Sequence, residues 1–191
     1  MENRERILQC AEELFYARGY DAVGVQEIAD RAGISKPTLY YYFGSKRGLL
    51  QAILDAKFEK MYRCIQIPEE IWDVKERLHH LASAYYGFFQ EEKKFHMLLM
   101  ALFYSARENE AYQTVHPYLI DFYQATVAVF ENCSDQLGNM NGRQNQFAIS
   151  FMGMINQYLM QEADRETGIF GKKQGETIFG LVNQFMYGIF S

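Results

Sequence analysis

The chain has 191 residues, of which 49% are hydrophobic and 23% charged, and its net charge at pH 7 is -5. With only 3 prolines and no polar low-complexity tract, this composition excludes a disordered or collagen-like chain and fits a globular protein of ordinary core size. No apolar run approaches the roughly 18 residues of a membrane-spanning helix, and the charged first residues do not resemble a signal peptide, so we expect a cytoplasmic protein with no membrane partner.

Helical periodicity predicts nine helices and no convincing strand. Their expected bounds are 4–18, 25–31, 36–43, 46–67, 69–90, 93–106, 117–130, 143–162 and 176–190. Ser35 is expected to cap the third helix, and Pro37 is expected in its first turn, where a missing N–H costs little. For the same reason Pro117 is expected to begin the seventh helix. Residues 132–142 and 164–175 are expected to be loops.

These helices predict an all-α fold in two parts. Residues 1–45 are expected to form a small head, and residues 46–191 a larger helical body, with the helix at 46–67 connecting the two. In the head, two short helices joined by a four-residue turn that contains glycine are typical of a helix-turn-helix. Gly33 can take the positive φ of a sharp turn, and the small Ala29 allows two helices to cross closely.

The charge is unevenly distributed along the chain. Residues 1–50 hold 7 basic and 7 acidic side chains, whereas residues 51–191 hold 12 basic and 17 acidic ones. Within residues 31–54 there is no acidic side chain. The basic side chains of that segment are Arg31, Lys36, Lys46 and Arg47. A local basic patch on an acidic protein favours a compact nucleic-acid-binding head, although a solvated surface stretch would look the same by charge alone.

The sequence of residues 25–50, VQEIADRAGISKPTLYYYFGSKRGLL, resembles the N-terminal DNA-binding domain of the tetracycline-repressor (TetR) family. The positions that match are Ile28-Ala29, Ala32-Gly33-Ile34-Ser35, Thr38-Leu39-Tyr40, Phe43, Ser45-Lys46 and Leu49-Leu50, with Phe15, Gly19 and Tyr20 upstream. The resemblance covers roughly the first 50 residues. The chain departs from the family at Val23 and Gly24, where hydroxyl residues are common, so one phosphate-binding hydroxyl is missing.

The resemblance implies that residues 36–43 form a recognition helix that enters the DNA major groove. The residues implied to face base edges are Gln26, Lys36, Pro37, Thr38 and Tyr40. Those implied to contact phosphates are Tyr41, Tyr42 and Lys46. Because three adjacent aromatic residues cannot share one face of a helix, at least one of the tyrosines at 40–42 is expected to be partly buried.

The resemblance also implies a homodimer on a palindromic DNA operator, with the last two helices of each copy packed together. The apolar character of residues 176–190 fits such a role, because so much apolar surface on a terminal helix needs a cover. The expected interface residues are Phe147, Phe151, Ile155, Phe179, Val182 and Met186. Burial within a single copy is the alternative for these side chains.

The middle of the chain is rich in aromatic residues and methionine. The resemblance implies a pocket there for an unidentified small-molecule effector that changes the spacing of the two heads. The residues expected to line it are Trp72, His79, Tyr85, Tyr86, Phe89, Met100, Phe103, Phe122 and Tyr123. Ordinary core packing is the alternative for each, and an uncharged or cationic aromatic compound is the preferred ligand class.

No enzyme motif is complete, so we expect neither a catalytic residue nor a cofactor. Residues 76–79 fit the Glu-x-x-His element of di-iron bundles, but such sites need two copies of it. The 4 histidines form no spaced metal cluster, and no phosphate-binding loop or GxSxG motif occurs. The resemblance thus implies a ligand-responsive transcriptional regulator, in the first instance a repressor released by an inducer. The alternative is a helical small-molecule-binding or metal-dependent enzyme with a vestigial DNA-binding head.

Overall fold

The computed structural model describes residues 3–138, 140–163 and 177–188. These residues contain nine α-helices, a short 3-10 helix at Ser134–Gln136 and no strand, which confirms the all-α fold. The α-helices are α1 (Asn3–Arg18), α2 (Val25–Arg31), α3 (Lys36–Phe43), α4 (Lys46–Cys64), α5 (Val74–Glu91), α6 (Lys93–Phe103), α7 (Glu110–Asn132), α8 (Gln144–Ala163) and α9 (Ile178–Tyr187). The loop expected at 164–175 and the outer ends of the last expected helix lie outside the described residues. No described helix is long and apolar enough to cross a membrane.

The expected start of the seventh helix at Pro117 is wrong, because α7 begins at Glu110 and Pro117 lies inside it. Asn109 caps this earlier start: its Oδ1 accepts a hydrogen bond from the Ala111 N–H at 2.7 Å. The Asn109 carbonyl also accepts from the Gln113 N–H at 3.0 Å. Pro117 contributes no N–H to the helix, so α7 loses one internal hydrogen bond there.

The segment between α4 and α5 is longer than expected. α4 ends at Cys64 and not near residue 67, and α5 begins at Val74 and not at 69. The start of α5 is set by Asp73, whose Oδ1 accepts from the Glu76 N–H at 3.0 Å. Trp72 therefore lies before the helix and not on its inner face. α6 likewise ends at Phe103, three residues before its expected end.

Packing divides the chain into two compact units. The first consists of the described residues up to Lys60 and of Glu92–Leu119; the second consists of Met61–Glu91 and of the described residues from Ile120 onward. Buried side chains of the first unit include Ile7, Phe15, Ile28, Leu39, Leu49, Leu50, Phe58 and Phe95. Those of the second include Leu78, Phe88, Phe89, Phe130, Phe151 and Leu159. The boundary expected at residue 45 separates a DNA-binding head from an effector-binding body. The two packing units are divided at other residues, and the functional boundary remains a prediction.

Candidate nucleic-acid interface

The turn between α2 and α3 is fixed by its backbone. Gly33 has a φ of +63°, which side-chain-bearing residues rarely adopt. The Gly33 N–H donates to the Asp30 carbonyl at 3.1 Å, and the Ile34 N–H donates to the Ala29 carbonyl at 3.0 Å. Ala29 is completely buried, as expected for a small residue where helices approach closely. These contacts hold α2 and α3 in the helix-turn-helix arrangement that the sequence predicts.

α3 has a local cap at its start and one buried anchor. Ser35 Oγ accepts from the Thr38 N–H at 3.2 Å, and Pro37 lies in the first turn, as expected. Because Leu39 is completely buried, the opposite face of α3 lies toward solvent. Thr38 is half-buried. The exposed residues of α3 are Lys36, Pro37, Tyr40, Tyr41 and Tyr42.

The three tyrosines of α3 differ in exposure. Tyr41 is 86% exposed, whereas Tyr40 and Tyr42 are 40% and 41% exposed, so the expected partial burial falls on two of the three. The Tyr41 and Tyr42 rings meet edge to face, with centroids 5.5 Å apart. Lys36 Nζ lies 5.8 Å from the centroid of the Tyr40 ring, one helical turn away. An exposed lysine beside an aromatic face suits contact with DNA bases and backbone.

Acidic side chains from α1 and α2 reduce the basic character of the head. Arg31 donates to Glu13 at 2.7 Å, and Arg18 is paired with Glu27. Gln26 is exposed, and its Nε2 donates to Asp30 Oδ1 at 2.7 Å along α2. An adenine contact by Gln26 would therefore replace an existing hydrogen bond.

Lys46 lies in a partly buried, aromatic and acidic environment. Its Nζ is 4.2 Å from the centroid of the Tyr20 ring and 3.4 Å from the Asp21 carbonyl oxygen. The Tyr20 hydroxyl in turn donates to the Glu110 carboxylate. Burial lowers the pKa of Lys46, and the Asp21 and Glu110 carboxylates oppose that shift. These contacts with Tyr20 and Asp21 therefore hold the Lys46 side chain in place.

Sequence analysis assigned no DNA-contact or packing role to two residues at the start of α4. Arg47 is exposed beside the end of α3, whereas its neighbour Lys46, chosen from the sequence, is half-buried. Gly48 is the second residue, because a Cβ placed there would lie 2.1 Å from the Phe43 carbonyl oxygen. The glycine lets α4 start against the end of α3. The sequence showed both residues, but which side of α4 faces α3 depends on packing.

The residues expected to line an effector pocket belong to both packing units. Met100, which is buried, and Phe103, which is 40% exposed, belong to the first unit, and the other seven to the second. In the second unit, the Tyr85 and Phe122 rings are 5.2 Å apart. Trp72 is 72% exposed and lies outside any helix. Buried Phe89 packs 6.3 Å from the half-buried Tyr86 ring, and Tyr123 Oη donates to Asn145 Oδ1 at 2.8 Å.

His79 and the other histidines form no metal centre in the part of the chain that the structure describes, where no group of three potential ligands is suitably placed. The His79 ring stacks on Phe179 with centroids 3.9 Å apart, and its Nε2 lies 3.3 Å from Asn183 Oδ1. Burial lowers the pKa of His79. His96 is completely buried, and burial lowers its pKa to about 4.

The six residues expected at a dimer interface divide into two groups. Phe151, Ile155 and Val182 are at most 2% exposed, so they pack in the core of the second unit and leave almost no area for another copy. Phe179 is 55% exposed, and Phe147 and Met186 are half-buried. Apolar residues occur on both faces of α8 and α9, so apolar character alone could not separate the inner from the outer face. The side chain missed on the outer face is Ile149 of α8, which is 62% exposed.

Comparison with known proteins gives a family match for the N-terminal part of the chain. Residues 7–53 match the family described as "Bacterial regulatory proteins, tetR family". The chain is 36% identical over 99 residues to the HTH-type transcriptional activator FasR of Mycolicibacterium smegmatis, a match that covers 51% of this chain and 45% of that protein. It is 45% identical over 51 residues to the HTH-type transcriptional repressor BdcR of Escherichia coli, covering 27% of this chain and 26% of that protein. The chain thus spans less than half of the length of these curated relatives.

Solved structures share the fold over nearly the whole chain. The transcriptional regulator FadR of Bacillus subtilis, solved in complex with stearoyl-CoA, superposes with a TM-score of 0.75 at 18% identity, covering 97% of this chain and 98% of that one. The TetR family transcriptional regulator PfmR of Thermus thermophilus superposes with a TM-score of 0.70 at 22% identity, covering 96% and 98%. At such low identity these likenesses show the fold alone, and they agree with the expected helical architecture.

Proposed function

We propose that this chain, whose residues 7–53 match the tetR family, is a homodimeric, ligand-responsive transcriptional regulator of the cytoplasm. It acts as a repressor that occupies a palindromic operator and leaves it when a small molecule binds. The observation that carries the proposal is the exposed face of α3, held by the fixed turn at Gly33 and by the buried Leu39.

α3 is the element that enters the major groove in this proposal. Its exposed Lys36 donates to guanine O6 or N7, and Pro37 and the Tyr40 ring edge contact thymine methyl groups. Thr38 and Gln26 complete the base-facing set. Phosphates are contacted by Tyr41, Tyr42 and Lys46, which fix the position of the head on the duplex without reading sequence.

Dimerisation in this proposal uses the outer faces of α8 and α9. Ile149 and Phe179 are 62% and 55% exposed, which is unusual for large apolar side chains on neighbouring helices. Ser150 and Gly153, also exposed on α8, are small enough to let a second copy approach closely. Two copies related by a two-fold axis would then present two α3 helices to a palindrome.

Regulation by an effector requires that the ligand bind the DNA-free form more tightly than the DNA-bound form. FadR of Bacillus subtilis, which shares the fold, was solved with stearoyl-CoA, so this fold accommodates a ligand that joins a long acyl chain to a charged coenzyme A group. Curated relatives include an activator and a repressor by name. Which outcome a bound protein produces depends on where its operator lies, and we propose repression by occupancy of a promoter.

A selection from random-sequence DNA tests the proposal. The purified protein is mixed with duplexes carrying a randomised segment of about 40 base pairs at moderate salt, and the retained duplexes are sequenced. We expect a short palindrome to be enriched by the native protein. Lys36→Ala is expected to lose this enrichment, whereas Lys93→Ala, which removes the same charge from an exposed position of α6, is expected to keep it.

Retention of DNA without any preferred sequence would contradict the role of α3 as a reader of bases. Absence of retention in a folded protein would contradict the regulator itself and favour an enzyme with a vestigial head. If Lys36→Ala and Lys93→Ala enriched the palindrome equally, DNA binding would be supported, but a base contact by Lys36 would be contradicted.

A further inference from the structure

The second unit contains an apolar cavity of about 240 Å³ near the end of α7. Four parts of the chain form its wall: α7, the segment that follows the 3-10 helix, the first turn of α8 and the second half of α9. The lining residues are Phe130, Leu137, Met140, Phe147, Phe185 and Met186. None of these side chains carries a charge or an N–H or O–H donor, so the wall is mainly apolar and its polar atoms belong to the backbone.

Three phenyl rings shape the wall. The Phe147 and Phe185 rings meet edge to face at 89° with centroids 6.3 Å apart, and the Phe130 and Phe185 rings meet at 62° and 6.1 Å. Phe130 and Phe147 lie closer to parallel, at 27° and 6.1 Å. Ring faces and ring edges are therefore presented in different directions, the arrangement in which a further aromatic ring packs well.

The size and accessibility of the cavity suit a small ligand. Leu137, Phe147, Phe185 and Met186 are only half-buried, so the cavity is partly open to solvent and a ligand can enter it. A closed apolar cavity of roughly 150 Å³ is enough to hold benzene, and the present volume is larger. The sulfurs of Met140 and Met186 add polarisable, flexible contacts that adapt to an aromatic ring.

We propose that this cavity is a binding site for an uncharged compound of one or two fused aromatic rings. The proposal rests on the regulator function and specifies the class of its effector. It places the ligand against Phe147 and Phe185, one on each of the two helices that we propose for dimerisation. Filling the cavity would therefore act on the first turn of α8 and on α9 together.

Naphthalene is the probe, and the methionine methyl groups report where it binds. The full-length protein is prepared with ¹³C-labelled methionine methyls, and its spectrum is followed during a naphthalene titration without DNA. We expect saturable shifts of the Met140 and Met186 signals, assigned by Met→Leu variants, and unchanged signals for the buried Met61 and Met100. Absence of a saturable shift, or equal shifts of all four signals, would overturn the proposal.

Leu137→Trp tests the location by filling the cavity with an indole ring. We expect this variant to bind naphthalene at least tenfold more weakly than the native protein. Leu119→Trp, the same substitution at a half-buried leucine of α7 outside the cavity wall, is expected to bind as the native protein does. Equal affinity of the two variants would contradict the assigned site, while the native titration tests binding even if Leu137→Trp folds poorly.

The failure of this site and the failure of the regulator function give different results. Saturable binding of naphthalene by a protein that retains no DNA would support the binding site and contradict the regulator function. Selective DNA retention without any naphthalene-induced shift would support the regulator function and contradict the binding site. Weaker DNA retention in the presence of naphthalene by the native protein, but not by Leu137→Trp, is expected if both proposals hold.

Discussion

Replacing Gly48 with alanine tests how closely α4 begins against α3. The added Cβ would lie 2.1 Å from the Phe43 carbonyl oxygen, 3.3 Å from the Phe43 carbonyl carbon and 3.4 Å from Ser45 Oγ. The first two are backbone atoms, which cannot rotate away as a side chain does. The Gly48 N–H also donates to Ser45 Oγ at 2.9 Å, so the first turn of α4 has little freedom to shift.

The size of the effect follows from two opposing contributions. Alanine in place of glycine inside a helix gains up to about 1 kcal/mol of stability. Here the chain must move apart by roughly 1 Å to reach ordinary contact, and overpacking of this kind costs about 1–3 kcal/mol and occasionally more. A 2.1 Å contact with a backbone oxygen belongs at the upper end of that cost, so after subtracting the gain we expect a net loss of about 1–2 kcal/mol. Gly87→Ala is the matched control, because a Cβ at this exposed position of α5 meets nothing within 4 Å.

Urea unfolding at one fixed protein concentration measures both variants, since dimerisation would otherwise make apparent stability depend on concentration. Gly48→Ala is expected to lower the unfolding midpoint, and Gly87→Ala to raise it slightly. Gly48→Ala should also weaken DNA binding, because α3 and α4 are displaced relative to each other. A Gly48→Ala protein as stable as the native one would refute the close approach of α4 to the Phe43 carbonyl.

Three further predictions concern DNA contact, pH and assembly. Lys36→Ala is expected to reduce the preference for the selected operator over random DNA. Lys46→Ala is expected to weaken binding to the operator and to random DNA equally, and to lower the salt dependence of binding by about one counterion. If each variant lost the same affinity for the operator as for random DNA, these roles would be contradicted. Burial lowers the pKa of His96 to about 4, whereas the same ring in the unfolded chain has a pKa near 6.5. Protons therefore bind the unfolded chain first, and the free energy of unfolding falls by about 3 kcal/mol as the pH is lowered from 6.5 to 4. Urea unfolding across that range should show the loss in the native protein and a flatter profile in His96→Gln. Ile149→Arg is expected to give a monomer in sedimentation equilibrium, whereas Ile120→Arg, at a 43% exposed isoleucine of α7, leaves a dimer; two dimers would exclude the outer face of α8 from the interface.

Local signals in the sequence predict the head well. Ser35 and Pro37 define the start of α3 through one hydrogen bond and one fixed φ, both decided within four residues. Gly33 has the positive φ that the turn needs. Each of these features depends on the nearest neighbours in the chain, which is why residue types alone were sufficient to place them.

Helix starts in the body were harder to predict, because competing signals occur close together. Pro117 suits a first turn, but the Asn109 cap begins α7 two turns earlier, and the helix continues through the proline. Asp73 similarly begins α5 after Trp72 and not before it. A sequence pattern shows that each signal is present but not which of two nearby signals prevails, since tertiary packing decides that.

The outer faces of α8 and α9 show a second limit of sequence reasoning. Phe151, Ile155 and Val182 have the same apolar character as Ile149 and Phe179, yet the first three are buried in their own unit and the last two are exposed. A helix that is apolar nearly all round has no pattern that marks its inner side. Only the packing of the second unit shows which of these side chains remain available to a partner.

Lys46 shows how a contact distant in sequence changes the meaning of a residue in a recognised motif. The motif implies a phosphate ligand, and the Tyr20 ring already holds Nζ at 4.2 Å. A lysine ordered in advance loses less conformational entropy when phosphate binds, which favours DNA. The nearby carboxylates of Asp21 and Glu110 oppose the phosphate, and Glu110 is also bonded to the Tyr20 hydroxyl. A shift of the first turn of α7 would therefore change the ring, the carboxylate and the lysine together. The contact that orders Lys46 would then also make its proposed phosphate contact sensitive to α7.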